Sequence, residues 1–167
     1  TDDVSVIVSH TSKSGLTVAS AVKNQLSKPA GEKRKVRDSA ALHQFTVSLA
    51  QGEEVTLTKY AVLCDSVRYG DCRGTALEHI HKAVSVPLKH WYGLQEEYLK
   101  KYWESCAVHV KGDDRLSNAI TYNLYQLIQS VGKDPHSNIS AKGLSGEGYE
   151  GHYFWDTEMY IQPFFLL

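Results

Sequence analysis

Residues Ala141–Phe165 read AKGLSGEGYEGHYFWDTEMYIQPFF, and this run constrains the fold more than any other part of the chain. It holds four glycines, one histidine, four carboxylates and seven aromatic rings. A core element has no use for so many glycines, and a solvated loop has none for so many rings. Glycines at 143, 146, 148 and 151 permit positive φ and close backbone approach. The combination predicts a compact loop over 143–152 that delivers Trp155 and Asp156 to the start of a helix. Pro163 should kink or end that helix. The chain then stops at Leu167 in an apolar stretch, the pattern expected when further polypeptide completes the fold.

The rest of the chain changes period once. Val4–Val8, Leu16–Val22, Leu42–Leu49 and Val55–Leu63 are β-branched or alternating, and predict antiparallel strands with one wet face. Gln51–Glu54 separates the last two and reads as a hairpin. Lys28–Arg37 is locally basic, contains Pro29 and Gly31, and reads as an exposed turn. From about Gly74 the spacing becomes helical. Ala76, Ile80, Ala83 and Val84 share a face up to Pro87, and Tyr92–Glu104 forms a second helical stretch. The clearest helix is 112–131, capped by Asp113 or Asp114, stopped at Gly132, and buried along Leu116, Ile120, Leu124 and Leu127. Strands followed by helices, without βαβ alternation, predict separate domains. The expected division is a β region at 1–65, a helical linker at 66–111, and the opening of an all-helical region at 112–167.

Composition excludes several functions. The net charge of -1 lacks the basic excess of a nucleic-acid surface. The three cysteines form no CxxC, and no HExxH or His/Cys cluster offers metal ligands. With no secretory leader at the start and no long apolar run, they fit reduced thiols in a cytoplasmic protein without membrane spans. Gly146–Gly151 has phosphate-loop spacing, but no strand precedes it and no Lys-Ser/Thr follows, so neither nucleotide fingerprint is met. GLSGE around Ser145 is no nucleophile elbow, because Gly146 directly follows the serine.

Trp155 and Asp156 suit sugar recognition. An indole offers a flat apolar face and one N–H donor, and an ionised carboxylate accepts from two adjacent hydroxyls. The alternative is a tryptophan buried in a helix seam with Asp156 capping the helix. Glu158 is either a further sugar contact or a first-turn partner of the helix dipole. His152, between glycine and rings, is either a ligand contact or a structural histidine.

At these residues the sequence resembles glycoside hydrolase family 65, the inverting disaccharide phosphorylases for maltose, trehalose, kojibiose and nigerose and the related acid trehalases. AKGLSGEGYEGHYFWDTEMYIQPFF stands close to that family's AKGL-GEGY-GH-FWDTE-F--PFF pattern, and Asn118–Leu127 (NAITYNLYQL) resembles its first barrel helix. The loop is more similar to the trehalose and kojibiose branch than to the maltose branch. The resemblance implies a protein several times this length, with an N-terminal β-sandwich, a helical linker and an (α/α)6 barrel. Residues 1–65 would end the sandwich, 66–111 would be the linker, and 112–167 would start the barrel.

It further implies that Trp155 and Asp156 line the glucose subsite. The general acid and the phosphate pocket would lie beyond Leu167, so no carboxylate here is catalytic and this chain alone would turn over no disaccharide. Inorganic phosphate would be the co-substrate, no cofactor or metal would be needed, and the full-length enzyme would be a homodimer. Two other readings remain open on the sequence. One is a hydrolase of the same family, and the other is a carbohydrate-binding or structural β module that buries Leu116, Ile120, Leu124, Leu127 and Phe164–Leu167 within itself.

Overall fold

The computed structural model describes residues 3–144, 149 and 152–166. Gly146, Gly148 and Gly151, on which the expected compact loop turns, lie outside the described residues, as does Leu167. Strands come first and helices follow: β1 (Val4–His10), β2 (Thr17–Leu26), β3 (Gly31–Arg37), β4 (Ala40–Thr46), β5 (Leu57–Asp65), α1 (Cys72–Ser85), α2 (Leu88–Cys106) and α3 (Asp114–Ser130). A π-helical turn (Thr157–Ile161) then leads into α4 (Gln162–Leu166). The chain divides into two compact units, Thr1–Gln95 and Glu96–Leu167, with the division inside α2.

In the first unit β2 is the central strand of an antiparallel sheet ordered β1-β2-β5. The β-branched residues of β1 pair along it, Val6 with Ala21 and Val8 with Ala19. Strand alternation sends Ala19 and Ala21 to the same face, and both are fully buried. Their single methyl groups let α1 lie close to the sheet. Cys72, Ala76 and Ile80 of α1 complete the core together with Cys64 of β5. Asp71 caps α1, its side chain accepting from the amide of Gly74 at 2.9 Å. Beyond Pro87, the indole of Trp91 donates to the carbonyl of Ala83 at 3.0 Å and ties the start of α2 back to α1.

Two expectations fail here. Lys28–Arg37 is not a turn, because Gly31–Arg37 is β3, paired with β4 from Gly31 opposite Thr46 to Arg37 opposite Ala40. All of β3 is exposed. Its ladder hydrogen bonds, not burial, hold it in place, so it carries no alternation for a sequence reading to detect. Nor does Gln51–Glu54 fold one strand onto the next. β5 pairs with β2, from Leu26 opposite Leu57 to Val18 opposite Asp65. Gly52 does turn the chain at φ +82°, but the strands before and after it belong to different sheets. Among the described residues both sheets remain open and the helices close no barrel.

In the second unit α3 has the expected cap, the Asp113 carboxylate accepting from the amide of Leu116 at 2.9 Å. Its buried stripe is narrower than expected. Leu124 is buried and Ile120 and Leu127 are half-buried, but Leu116 is 46% exposed. The buried residue of that first turn is Ser117. Its hydroxyl accepts from the amide of Val110 at 3.0 Å and donates to the carbonyl of Asp113 at 3.0 Å, a polar anchor where an apolar contact was expected. Tyr102 of α2 donates to the carbonyl of Leu124 at 3.1 Å. Burial, reinforced by a hydrogen bond with Cys106, raises the Tyr102 phenol above its ordinary range and keeps it a donor.

These burials predict unequal costs. Ile80→Ala should destabilise the chain by about 2–5 kcal/mol, the usual range for emptying a core site. Leu116→Ala should stay within about 0.5 kcal/mol, as expected at an exposed position. Urea denaturation followed by circular dichroism measures both, and equal losses would contradict this description of the core.

Candidate functional site

The Trp155 region is prepared by the segment that follows α3. The helix ends with the amide of Val131 on the carbonyl of Leu127 at 3.2 Å, and Lys133 donates to the carbonyl of Ile128 at 3.1 Å. Asp134 then accepts from the amide of His136 at 2.8 Å, an Asx turn that reverses the chain. Asn138 uses its side-chain oxygen to accept from the amide of Ile139 at 2.7 Å, and Ile139 is buried. Gly143 has φ +57°, and a Cβ there would fall 2.7 Å from the hydroxyl oxygen of Ser130. The positive φ favours glycine, and the close approach seats the segment against the end of α3. Ser140 locks the bend by donating to the carbonyl of Gly143 at 2.5 Å, while the Gly143 amide donates to the Ser140 carbonyl at 2.9 Å.

Tyr149 takes φ +53°, and its carbonyl receives both the amide of His152 at 2.9 Å and that residue's Nδ1 at 2.6 Å. With a carbonyl as its partner, Nδ1 is the donor, which leaves Nε2 as an acceptor in the neutral ring. The helix begins where the sequence predicts. The amide of Thr157 donates to Phe154 at 3.2 Å and that of Glu158 to Trp155 at 3.1 Å. The first turn is π-helical, closed by the Gln162 amide on the carbonyl of Thr157. Pro163 has no N–H to donate, so the usual bond to Met159 cannot form, and the wide turn directly precedes it. The helix continues to Leu166, so Pro163 alters its register but does not end it. Single π turns recur at functional sites in helices.

The four candidate residues separate into two groups. Trp155 and Glu158 line a shallow concavity of about 510 Å³ together with Asn138, Tyr153, Phe154 and Met159. Asp156 and His152 lie outside its lining. Trp155 is 66% exposed, so it is not buried in a helix seam. Asp156 makes no cap hydrogen bond, and among the described residues its carboxylate has no partner. The sequence reading missed Asn138. Nothing in its own neighbourhood marks it, because only the fold back from α3 brings it beside Trp155.

Other chemistry finds little support. Burial raises the thiol of Cys64, and the neighbouring Cys72 and Asp65 raise it further, the opposite of what a thiolate nucleophile needs. Among the described residues no group of three or more His, Cys, Asp or Glu side chains could hold a metal ion. No described helix is long and apolar enough to cross a membrane.

Known proteins give this geometry a family. Residues 1–105 match the model of the N-terminal domain of glycosyl hydrolase family 65, and residues 121–167 match that family's central catalytic domain. The chain is 39% identical over 166 residues to the alpha,alpha-trehalose phosphorylase of Thermoanaerobacter brockii, covering 96% of this chain and 21% of that protein. To the trehalose phosphorylase of Geobacillus stearothermophilus it is 45% identical, covering 69% of this chain and 15% of that one. The kojibiose phosphorylase of Thermoanaerobacter brockii is 41% identical over 75% of this chain and 17% of its own length. A solved human-microbiome protein, provisionally named a kojibiose phosphorylase, shares the fold at a TM-score of 0.83 and 24% identity, over 99% of this chain and 22% of its own. The chain thus spans 15–21% of the length of these curated relatives. It belongs to glycosyl hydrolase family 65.

Proposed function

We propose that this chain is part of an inverting phosphorylase of α-linked glucose disaccharides, and that Trp155 and Asp156 hold the glucose ring. On this reading residues 1–65 end an N-terminal β-sandwich, 66–111 form a helical linker, and 112–167 open an (α/α)6 barrel. The observation that carries it is the exposed indole of Trp155 at the mouth of a π-helical turn, followed in the chain by the Asp156 carboxylate, which has no partner among the described residues. Similarity to proteins named trehalose and kojibiose phosphorylases supports the substrate class.

The reaction is one displacement. A carboxylic acid protonates the glycosidic oxygen while phosphate attacks the anomeric carbon from the opposite face. The C–O bond to the departing sugar breaks as the C–O bond to phosphate forms, giving β-glucose 1-phosphate and free glucose. Phosphate is already an anion, so it needs no second carboxylate to activate it. The acid and the phosphate site belong to the polypeptide beyond residue 167. Within this chain the work is positioning. The sugar's C–H face packs on the indole, and an ionised Asp156 accepts from two hydroxyls. That role differs from the acid's, which requires a raised pKa. A hydrolase of the same family would place water where phosphate stands and use the same sugar contacts.

In the full-length enzyme, Asp156→Ala removes charge-assisted contacts worth about 2–4 kcal/mol. Catalytic efficiency, kcat/KM, should fall roughly 30- to 1000-fold. The fold should survive, because Asp156 makes no cap bond. Steady-state kinetics beside circular dichroism measure both. A folded variant with near-normal kcat/KM would take Asp156 out of the glucose subsite.

A further inference from the structure

Among the polar groups that line the Trp155 concavity, one donor is set in advance. The oxygen of the Asn138 side chain is occupied by the amide of Ile139 at 2.7 Å. That bond fixes which end of the side-chain amide is which, because a backbone N–H can only be received by the oxygen. The –NH2 end carries two donors and has no protein partner among the described residues. Asn138 shares the concavity with the Trp155 ring and the Glu158 carboxylate. Trp155 and Glu158 both line it, and the Glu158 amide donates to the Trp155 carbonyl at 3.1 Å. The concavity therefore combines an apolar plate, a carboxylate and a donor of fixed polarity. Sugar hydroxyls both donate and accept, so a ring on the plate can satisfy both polar groups at once.

We infer that Asn138 is a further sugar-positioning residue of this site, donating from its side-chain amide to a hydroxyl of the glucose ring on Trp155 while Glu158 accepts from a neighbouring hydroxyl. The inference rests on the glucose-subsite reading above and deepens it. It assigns a polar contact to a residue outside the FWDTE run.

The test uses the full-length enzyme, its parent disaccharide, and glucosides lacking one ring hydroxyl at a time. Asn138→Ala should raise KM for the disaccharide about three- to tenfold, as for the loss of one neutral hydrogen bond. Both kcat and KM for phosphate should stay within about twofold, the split expected when uniform binding is lost. Asn138→Asp keeps the oxygen that receives Ile139 and removes the donor. It should therefore fold even if the alanine variant does not, and should raise KM at least as much. One deoxy glucoside should lose that same factor with the wild-type enzyme and lose nothing further with Asn138→Ala. Trp155→Ala, measured alongside, separates the two claims. If it weakens disaccharide binding while both Asn138 variants keep wild-type KM, the inference fails and the subsite reading stands. If Trp155→Ala itself leaves KM unchanged, the subsite reading fails and the inference fails with it.

Discussion

The second unit depends on glycines in the segment that folds back from α3, Gly143 among them. A side chain there would meet the Ser130 hydroxyl at 2.7 Å, and φ +57° already disfavours any residue but glycine. The bare backbone lets the segment after α3 fold against the helix it has just left. Ile139 is buried by that fold. Ser137, Asn138 and Ile139 then line one hollow with Thr157, Glu158 and Ile161 of the π-helical turn. Asn138 reaches Trp155 by this route. Gly132 adds a tighter approach, since a Cβ there would fall 1.7 Å from the Cβ of Ser137, so two glycines frame the candidate site.

Much of this was legible in the sequence where a local rule decides. The change from strand to helix period falls where the structure changes, and Asp113 caps α3 as its position suggests. The failures arise where partners are distant. β3 is exposed on every residue and exists only because β4 pairs with it, so no pattern of its own announces it. Leu57–Asp65 is plainly a strand, but nothing in it says that β2, not β4, will be its neighbour. Leu116 fits the apolar stripe of α3, yet Ser117 takes the buried place because Val110 and Asp113 offer it hydrogen bonds. Asn138 was illegible for the same reason, since its role depends on a fold that Gly143 permits.

The two units have different parts in the account. The first is held by small residues, Ala19 and Ala21 under α1, and burial raises the thiol of Cys64 away from thiolate chemistry. The second brings exposed rings, and polar groups without a partner among the described residues, to the start of a helix, the arrangement of a surface that receives a ligand. Within family 65 that contrast fits a division of labour. On the proposed function, one part of the polypeptide supports the fold, and the other would hold a sugar for an acid and a nucleophile supplied from elsewhere in the longer protein.

The central claim is that the sugar held at Trp155 is passed to phosphate with inversion. Proton NMR of the full-length enzyme acting on an α-linked glucose disaccharide tests it most directly, because it reports the anomer of the first product before any equilibration. The account predicts that no sugar is released without phosphate. With phosphate, β-glucose 1-phosphate should form in equal amount to free glucose. Release of glucose that is indifferent to phosphate, or glucose 1-phosphate of the α configuration, would contradict it.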